Sequence, residues 1–236
     1  MRVKIVFAYN GTHFLGSQTQ TETSNTVLGT IERVLLKLGI KERLIASGRT
    51  DKGVHATAQV CHLDLPPYWS NLEKLKKVLN DTLVSSIIVR HIQEVSEDFH
   101  ARYSAVKRSY RYLIKEGDSN PFESDFITFK KEINFDILSQ NITLFQGEHD
   151  FVYFMKTGSD TGSTHRYIYN AYAYRHKEYI ILHFQANGFL RSQIRLMVGA
   201  LFTLSATEIQ EKLRVKKNHK CRPAPANGLY LAKILY

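Results

Sequence analysis

One short loop of the sequence concentrates the residue types that chemistry requires. The segment 48–53 holds a single carboxylate, Asp51, with Arg49 and Lys52 beside it and His55 just beyond. Nearby positive charges favour the ionised form of Asp51, so it is expected to be charged at neutral pH. A charged carboxylate suits nucleophilic attack or the stabilisation of developing positive charge, and it is a poor proton donor. A solvated turn in which Asp51 pairs with Arg49 is the alternative, and the loop alone does not decide between the two.

The loop has the composition of a tight turn between two strands. Gly48 and Gly53 can adopt positive φ at little cost, and apolar runs at 43–47 and 56–63 predict the flanking strands. Neither glycine is followed by Lys and then Ser or Thr, so the loop is not a Walker-type phosphate site. No metal is predicted either, because the histidines and the cysteine between 55 and 62 lack the paired short spacings of zinc ligands.

A second stretch, 99–112, interleaves aromatic and basic side chains. Cations contact phosphates and aromatic faces stack on unpaired bases, so this mixture favours RNA as a partner. In a strand, Arg108, Tyr110 and Tyr112 share one face. The alternative is an ordinary strand with aromatic core residues and a solvated cationic face.

A third stretch predicts the most apolar helix of the chain, over 189–204. Arg191 and Arg195 line one edge of its apolar stripe, and no acidic residue occurs from 189 to 207. The two arginines therefore lack a local partner at i±4 and must face solvent, a phosphate or a carboxylate from elsewhere, for which Asp51 is the obvious candidate. Arginines that extend past a core helix into water are the alternative.

The overall charge predicts a polyanionic partner, because the formal net charge is +10 over 236 residues. A fourth stretch, 212–222, carries six Lys or Arg residues and no acid. Such a run is usually a solvated face, but the charge of the whole protein favours a phosphate-binding flank. An anionic membrane surface could also use this charge, although no apolar run reaches the roughly 18 residues that would span a bilayer.

The expected compartment follows from the cysteines and from the first residues. Cys61 and Cys221 show no pairing pattern, which is typical of proteins in the reduced cytosol. Residues 1–7 interleave charged and apolar types, which predicts a strand rather than a signal peptide. A cytoplasmic protein is therefore expected.

Strands and helices are interspersed in two successive halves. Helices are predicted over 26–38 and after a capping box formed by Ser70 and Glu73. The pattern predicts an α+β fold with two similar sub-domains and mainly antiparallel sheets. The expected domains are 1–98, which carries the acidic loop, and 99–236, which carries the tyrosine strand and the arginine helix.

Six segments of the chain match the motifs of one enzyme family. The most specific reads Gly48-Arg49-Thr50-Asp51-Lys52-Gly53-Val54-His55-Ala56, and the others are 9–20, 99–105, 147–151, 189–199 and 224–229. The chain therefore resembles the tRNA pseudouridine synthase A family over nearly its whole length. One departure is Ser17, which stands where family members usually carry tryptophan. This residue is expected to alter the packing of the first loop or its grip on RNA.

The resemblance implies the pseudouridine synthase fold, with its sub-domains joined across a central RNA-binding cleft. Such enzymes convert uridine to pseudouridine in the anticodon stem-loop of tRNA, at positions 38, 39 and 40, need no cofactor or metal, and usually work as homodimers. By resemblance, Asp51 is the catalytic aspartate, which attacks C1′ of the nucleoside or helps to remove a ribose proton. Tyr110 is the tyrosine that stacks on the uracil and removes its C5 proton, and Arg195 is the arginine that pairs with Asp51.

The resemblance also indicates how the tRNA is held. Arg49 would occupy or prop the space that the flipped base vacates. The other candidates for substrate binding are Lys52, His55, Arg102, Arg108 and Arg191. No membrane or small-molecule partner is expected.

Two other functions agree with parts of the pattern. A non-catalytic RNA-binding or chaperone protein of the same fold would keep the charge but would not need Asp51. A hydrolase with an aspartate nucleophile, acting on phosphate esters, would need magnesium and further carboxylates near Asp51, whereas the flanking residues here are cationic.

Overall fold

The computed structural model describes residues 1–158 and 161–236 and divides into two compact units. The first unit comprises Met1–Val106 and Tyr230–Tyr236, and the second comprises Lys107–Leu229. Each unit combines a strongly antiparallel set of strands with helices. The predicted α+β fold with mainly antiparallel sheets is therefore confirmed.

The strands of the first unit are β1 (Arg2–Tyr9), β2 (Ile45–Ala46), β3 (His55–Asp64), β4 (Ile87–Glu94) and, at the end of the chain, β10 (Leu229–Leu235). β1 is antiparallel to both β3 and β4, β2 pairs with β3, and β10 runs parallel to β3. The order is therefore β4-β1-β3-β10. Because β3 has neighbours on both sides, the acidic loop at its start is tied to the middle of this sheet.

The first unit has two helices, α1 (Val27–Lys37) and α2 (Leu72–Thr82). Asn71 caps α2 by accepting a hydrogen bond from the Lys74 N–H at 2.9 Å. The predicted capping box of Ser70 and Glu73 is therefore wrong, because the cap lies one residue further along the chain.

The strands of the second unit are β5 (Lys107–Glu116), β6 (Thr128–Lys130), β7 (Gly147–Asp150), β8 (His165–His176) and β9 (Tyr179–Ala186). They are arranged in the order β5-β9-β8-β7 through antiparallel pairings, and β6 runs parallel to β5. The helices are α3 (Phe135–Ile142), α4 (Gln193–Thr203) and α5 (Ala206–Leu213). The fully buried Tyr112 packs edge-on against Phe202 of α4, so strand and helix share one core.

Two helices of the second unit differ from the sequence prediction. α4 begins at Gln193 rather than at 189, because Ser192 has a left-handed backbone with φ of 59°. Arg191 consequently lies in a turn before the helix and does not share a helical edge with Arg195. α5 was not predicted, although its capping box of Ser205 and Glu208 can be read from the sequence.

The two units and the predicted domains, 1–98 and 99–236, differ at 99–106 and 230–236, which both lie in the first unit. The Val106 N–H donates to the Leu235 carbonyl at 2.8 Å, so these two segments are bonded to each other. The domain division stays a prediction. Over the described residues, no helix combines the length and the apolarity needed to cross a membrane.

Candidate active site

A buried glutamine on β3 holds the entry to the acidic loop. Gln59, on β3, accepts a hydrogen bond from the Ser47 hydroxyl at 2.8 Å and donates to the Gly48 carbonyl at 3.0 Å. Gln59 has no exposed surface, so both contacts are shielded from water. The entry to the loop is therefore fixed by side-chain hydrogen bonds as well as by strand pairing.

The middle of the loop is held through Thr50, which directly precedes Asp51. The Thr50 N–H donates to the Ser17 hydroxyl at 2.8 Å, and the Ser17 N–H donates to the Thr50 carbonyl at 3.2 Å. The Thr50 hydroxyl shares a hydrogen bond of 2.7 Å with the Tyr9 hydroxyl. Burial raises the pKa of Tyr9 to about 12, so this phenol is neutral and can act as a donor.

The exit from the loop needs two glycines. Gly53 has φ of +78°, which glycine adopts at little cost, whereas Gly48 does not have a positive φ. A Cβ on Gly11 would lie only 2.0 Å from the Val54 carbonyl oxygen, so the first loop can approach the acidic loop only with glycine there. The Gly11 N–H in turn donates to Nδ1 of His55 at 3.0 Å.

These anchors leave the chemical groups of the loop at its surface. Asp51 is half-buried, and Arg49 and Lys52 are exposed. His55, in contrast, is only 1% exposed and stacks on Tyr230 with ring centroids 4.7 Å apart. His55 thus holds the loop, and its predicted contact with the substrate stays a prediction.

In the second unit, β5 carries Tyr110 on its buried face. The tyrosine is 9% exposed and meets Phe189 edge-on, with ring centroids 5.3 Å apart. On the same face, Arg108 donates to the Asn187 carbonyl at 2.8 Å. The predicted sharing of one strand face by Arg108, Tyr110 and Tyr112 agrees with this burial pattern.

Arg195, in the first turn of α4, is clamped to the segment before β10. Its Nε donates to the Ala224 carbonyl at 2.7 Å, and the Ala224 N–H donates to the Arg195 carbonyl at 2.8 Å. The same segment is held by Tyr112, whose hydroxyl donates to the Pro225 carbonyl at 2.9 Å. Burial raises the pKa of Tyr112, and the nearby Arg195 guanidinium partly opposes that shift.

The remaining substrate-binding candidates lie at the surface. Arg102 is exposed in a turn beside Tyr103, which is 77% exposed and whose ring centre lies 5.7 Å from the guanidinium carbon. His62 supports this turn, since its Nδ1 accepts the Ala101 N–H at 3.1 Å. Arg191 is also exposed.

The basic run 212–222 is not uniform. Lys212 is 1% exposed, donates to the Asn218 side-chain oxygen at 2.7 Å and to the His219 carbonyl at 2.8 Å, and lies 4.9 Å from the centre of the Phe154 ring. Burial lowers its pKa. The run 212–222 predicted a phosphate-binding flank that includes Lys212. The buried Lys212 does not belong to such a flank. The other basic residues of the run, Arg214, Lys216, Lys217, Lys220 and Arg222, are exposed.

The polar residues that hold the acidic loop were missed by sequence reasoning. Tyr9, Ser17 and Gln59 are far apart in the chain and adjoin no motif that assigns them to Thr50 or Gly48. The one available signal was the placement of Ser17 in the first loop, where it departs from the usual tryptophan. Across 1–158 and 161–236, no group of three or more His, Cys, Asp and Glu residues is placed to hold a metal ion.

Comparison with known proteins assigns the class. Residues 5–104 and 142–236 match the family model described as tRNA pseudouridine synthase. The chain is 38% identical over 241 residues to tRNA pseudouridine synthase A of Campylobacter jejuni strain RM1221, covering all of both chains. It is 37% identical to the Helicobacter hepaticus protein of that name, over 99% of this chain and 98% of the relative. It is 36% identical to the Limosilactobacillus reuteri protein of that name, over 100% of this chain and 96% of the relative.

The matched regions contain the acidic loop, all of α4 and the segment that clamps Arg195. The class is thus that of the pseudouridine synthases, which are isomerases. The chain belongs to the tRNA pseudouridine synthase family.

Proposed function

We propose that this protein converts uridine to pseudouridine in the anticodon stem-loop of tRNA, at positions 38, 39 or 40. The observation that carries the proposal is the end-to-end match to relatives named tRNA pseudouridine synthase A, at 38% identity over the whole of both chains for the first of them. The net charge of +10 supports a polyanionic substrate.

The proposed reaction is an isomerisation that balances without any co-reactant. The bond between C1′ and N1 breaks, its electron pair leaves with the uracil, and the detached ring turns within the pocket. C5 then bonds to C1′, the C5 proton leaves, and N1 gains a proton. No electrons are gained or lost overall, so these steps require neither an oxidant nor a reductant.

Asp51 is the proposed catalytic group. A half-buried carboxylate on a loop fixed at Gly48, Thr50 and Val54 can be directed at a sugar carbon without reorganising the backbone. It would attack C1′ or help to remove a ribose proton. Carboxylates stabilise electron-poor sugar carbons in the same way in glycosidases.

Tyr110 and Arg195 are the proposed partners of Asp51. The ring of Tyr110 lies in an aromatic environment, which suits stacking on the loose uracil, and its oxygen would take the C5 proton. Arg195 would pair with Asp51 and hold it ionised, while its Nε bond to Ala224 fixes the guanidinium.

Binding of tRNA is proposed to use the exposed cations. Arg49 would fill the space that the flipped uridine leaves. Phosphate contacts are assigned to Lys52, Arg102, Arg108 and Arg191, all of which keep exposed surface. The protein is further proposed to act in the cytoplasm as a homodimer, as the resemblance implies.

The test uses the purified protein and tRNA that carries tritium at uracil C5. We expect tritium release without added metal or cofactor, and pseudouridine mapped at 38, 39 or 40. Asp51→Ala should abolish release while tRNA binding persists. The matched control is Asp81→Ala, which removes an exposed carboxylate on α2 that pairs with Lys77 at 3.3 Å.

Each part of the proposal has its own contrary result. No tritium release by the unaltered protein would refute the activity. Release with pseudouridine at other positions would refute the anticodon assignment alone. Full activity in Asp51→Ala would remove Asp51 from the mechanism.

A further inference from the structure

Ser17 occupies a buried position between the first loop and α1. It is 2% exposed, and its carbonyl accepts the Leu28 N–H at 2.9 Å. The preceding residue, Gly16, has φ of +118°, a conformation that turns the chain towards Thr50. The backbone of Ser17 is therefore fixed by α1 before its side chain is considered.

Ser17 makes two hydrogen bonds to Thr50, which is 33 residues away in the chain. Its hydroxyl accepts the Thr50 N–H at 2.8 Å, and its own N–H donates to the Thr50 carbonyl at 3.2 Å. The first bond fixes the peptide plane between Arg49 and Thr50. The second fixes the plane between Thr50 and Asp51.

These two peptide planes set the directions in which the neighbouring side chains leave the backbone. The Thr50 side chain points inward, where its hydroxyl bonds to Tyr9 at 2.7 Å. Arg49 and Asp51, on either side, reach the surface. A strand-like alternation is thus imposed on three residues that belong to no strand.

We propose that Ser17 is a positioning residue for the reaction, because its hydroxyl fixes the backbone that orients the Asp51 carboxylate. This inference rests on the proposed function. The hydroxyl acts through Thr50 and does not touch substrate. Alanine would leave the buried Thr50 N–H without this acceptor, so the loop would relax and the carboxylate would lose its fixed direction.

The test compares Ser17→Ala with the unaltered protein in single-turnover tritium release, with enzyme in excess over tRNA. The expected result is a rate about 10- to 100-fold lower, because a small misplacement of a reacting group costs that much. The tRNA dissociation constant should change by less than about twofold, since binding does not depend on the aim of Asp51.

A matched control separates positioning from stability. Asn80 also accepts a backbone N–H at 2.8 Å, from Val89, and donates to the Val89 carbonyl at 2.9 Å, but it joins α2 to β4. Asn80→Ala should lower the melting temperature at least as much as Ser17→Ala and leave the single-turnover rate unchanged at a temperature well below melting. Equal rate losses in the two variants would make Ser17 merely structural and would overturn the inference.

A second variant keeps the test decisive if Ser17→Ala does not fold. Ser17→Cys is nearly the same size, but sulfur is a weak acceptor, so an intermediate rate is expected. A rate in Ser17→Cys or Ser17→Ala equal to that of the unaltered protein would overturn the inference and leave the proposed function intact. Absence of release by the unaltered protein would instead refute the proposed function.

Discussion

Arg195 and Ala224 are joined by two hydrogen bonds, from side chain to backbone at 2.7 Å and from backbone to backbone at 2.8 Å. The contact links the first turn of α4 to the segment that leads into β10. Gly199, one turn further along α4, brings the same segment close, since a Cβ there would lie 1.9 Å from the Arg222 carbonyl oxygen. Both α4 and the segment before β10 therefore fix the position of the Arg195 guanidinium.

Replacing Arg195 by lysine should separate charge from geometry. Lysine keeps the positive charge but has neither an Nε nor a planar fork, so it cannot bond to Ala224 and also present two further donors. We expect turnover to fall about 100-fold, with a loss of about 1 kcal/mol in the free energy of unfolding. Steady-state kinetics and urea titration measure the two effects. An unchanged turnover would mean that Arg195 is structural.

Gly199→Ala should displace the segment that holds Arg195. The added methyl would meet backbone atoms of Arg222, which cannot move aside as a flexible side chain would. The expected cost is about 1 to 3 kcal/mol of unfolding free energy, together with lower turnover. Gly162→Ala is the control in the same unit, because a Cβ at Gly162 meets nothing within 4 Å. Equal unfolding energies for the two variants would contradict the close approach seen at Gly199.

Tyr110→Phe should remove the oxygen that takes the C5 proton and keep the packing of the ring. The ring can still meet Phe189 edge-on, so we expect tRNA affinity and melting temperature to be retained while turnover falls at least about 100-fold. Turnover at the normal rate would exclude Tyr110 from proton transfer. The measurement is tritium release alongside filter binding.

Tyr112→Phe is the matched control for that experiment, two residues along the same strand face. It loses hydrogen bonds to the Pro225 carbonyl and to the Thr128 hydroxyl, at 2.9 and 2.7 Å. We therefore expect a stability loss of about 1 to 2 kcal/mol. Turnover should fall far less than in Tyr110→Phe, because the segment that fixes Arg195 loses one anchor but keeps its two bonds to Arg195. If Tyr112→Phe lost turnover and Tyr110→Phe lost only stability, Tyr112 would be the group in proton transfer and Tyr110 the structural one.

Local sequence patterns predicted the elements that carry the candidate site. The apolar stripe over 26–38 placed α1, and the strand pattern before and after the acidic loop placed β3. The two glycines predicted a tight loop, and Gly53 has the positive φ that such a loop permits. Such features depend on neighbours within a few residues, so a single sequence contains them.

Features that no local sequence pattern signals could not be predicted. Nothing near Ser192 signals a left-handed residue, which moved the start of α4 to Gln193. The burial of Lys212 depends on acceptors at 218 and 219, whereas the pattern of the run shows only charge. The bond from Thr50 to Ser17 joins two loops, and no periodicity relates them.

Stability at mildly acidic pH should depend on His62, which is 3% exposed and whose Nδ1 accepts the Ala101 N–H at 3.1 Å. Burial, with help from His100 and Arg2, lowers the pKa of His62 from its usual 6.5. Below pH 6.5 the unfolded chain therefore binds a proton that the folded protein excludes. The unfolding free energy should be fully present above this pH and should fall as the pH drops, by at most about 1.4 kcal/mol per pH unit.

Urea titrations from pH 7.5 to 5 measure this slope. His62→Gln should flatten it. A His62→Gln protein with the original slope would show that other groups control the acid response.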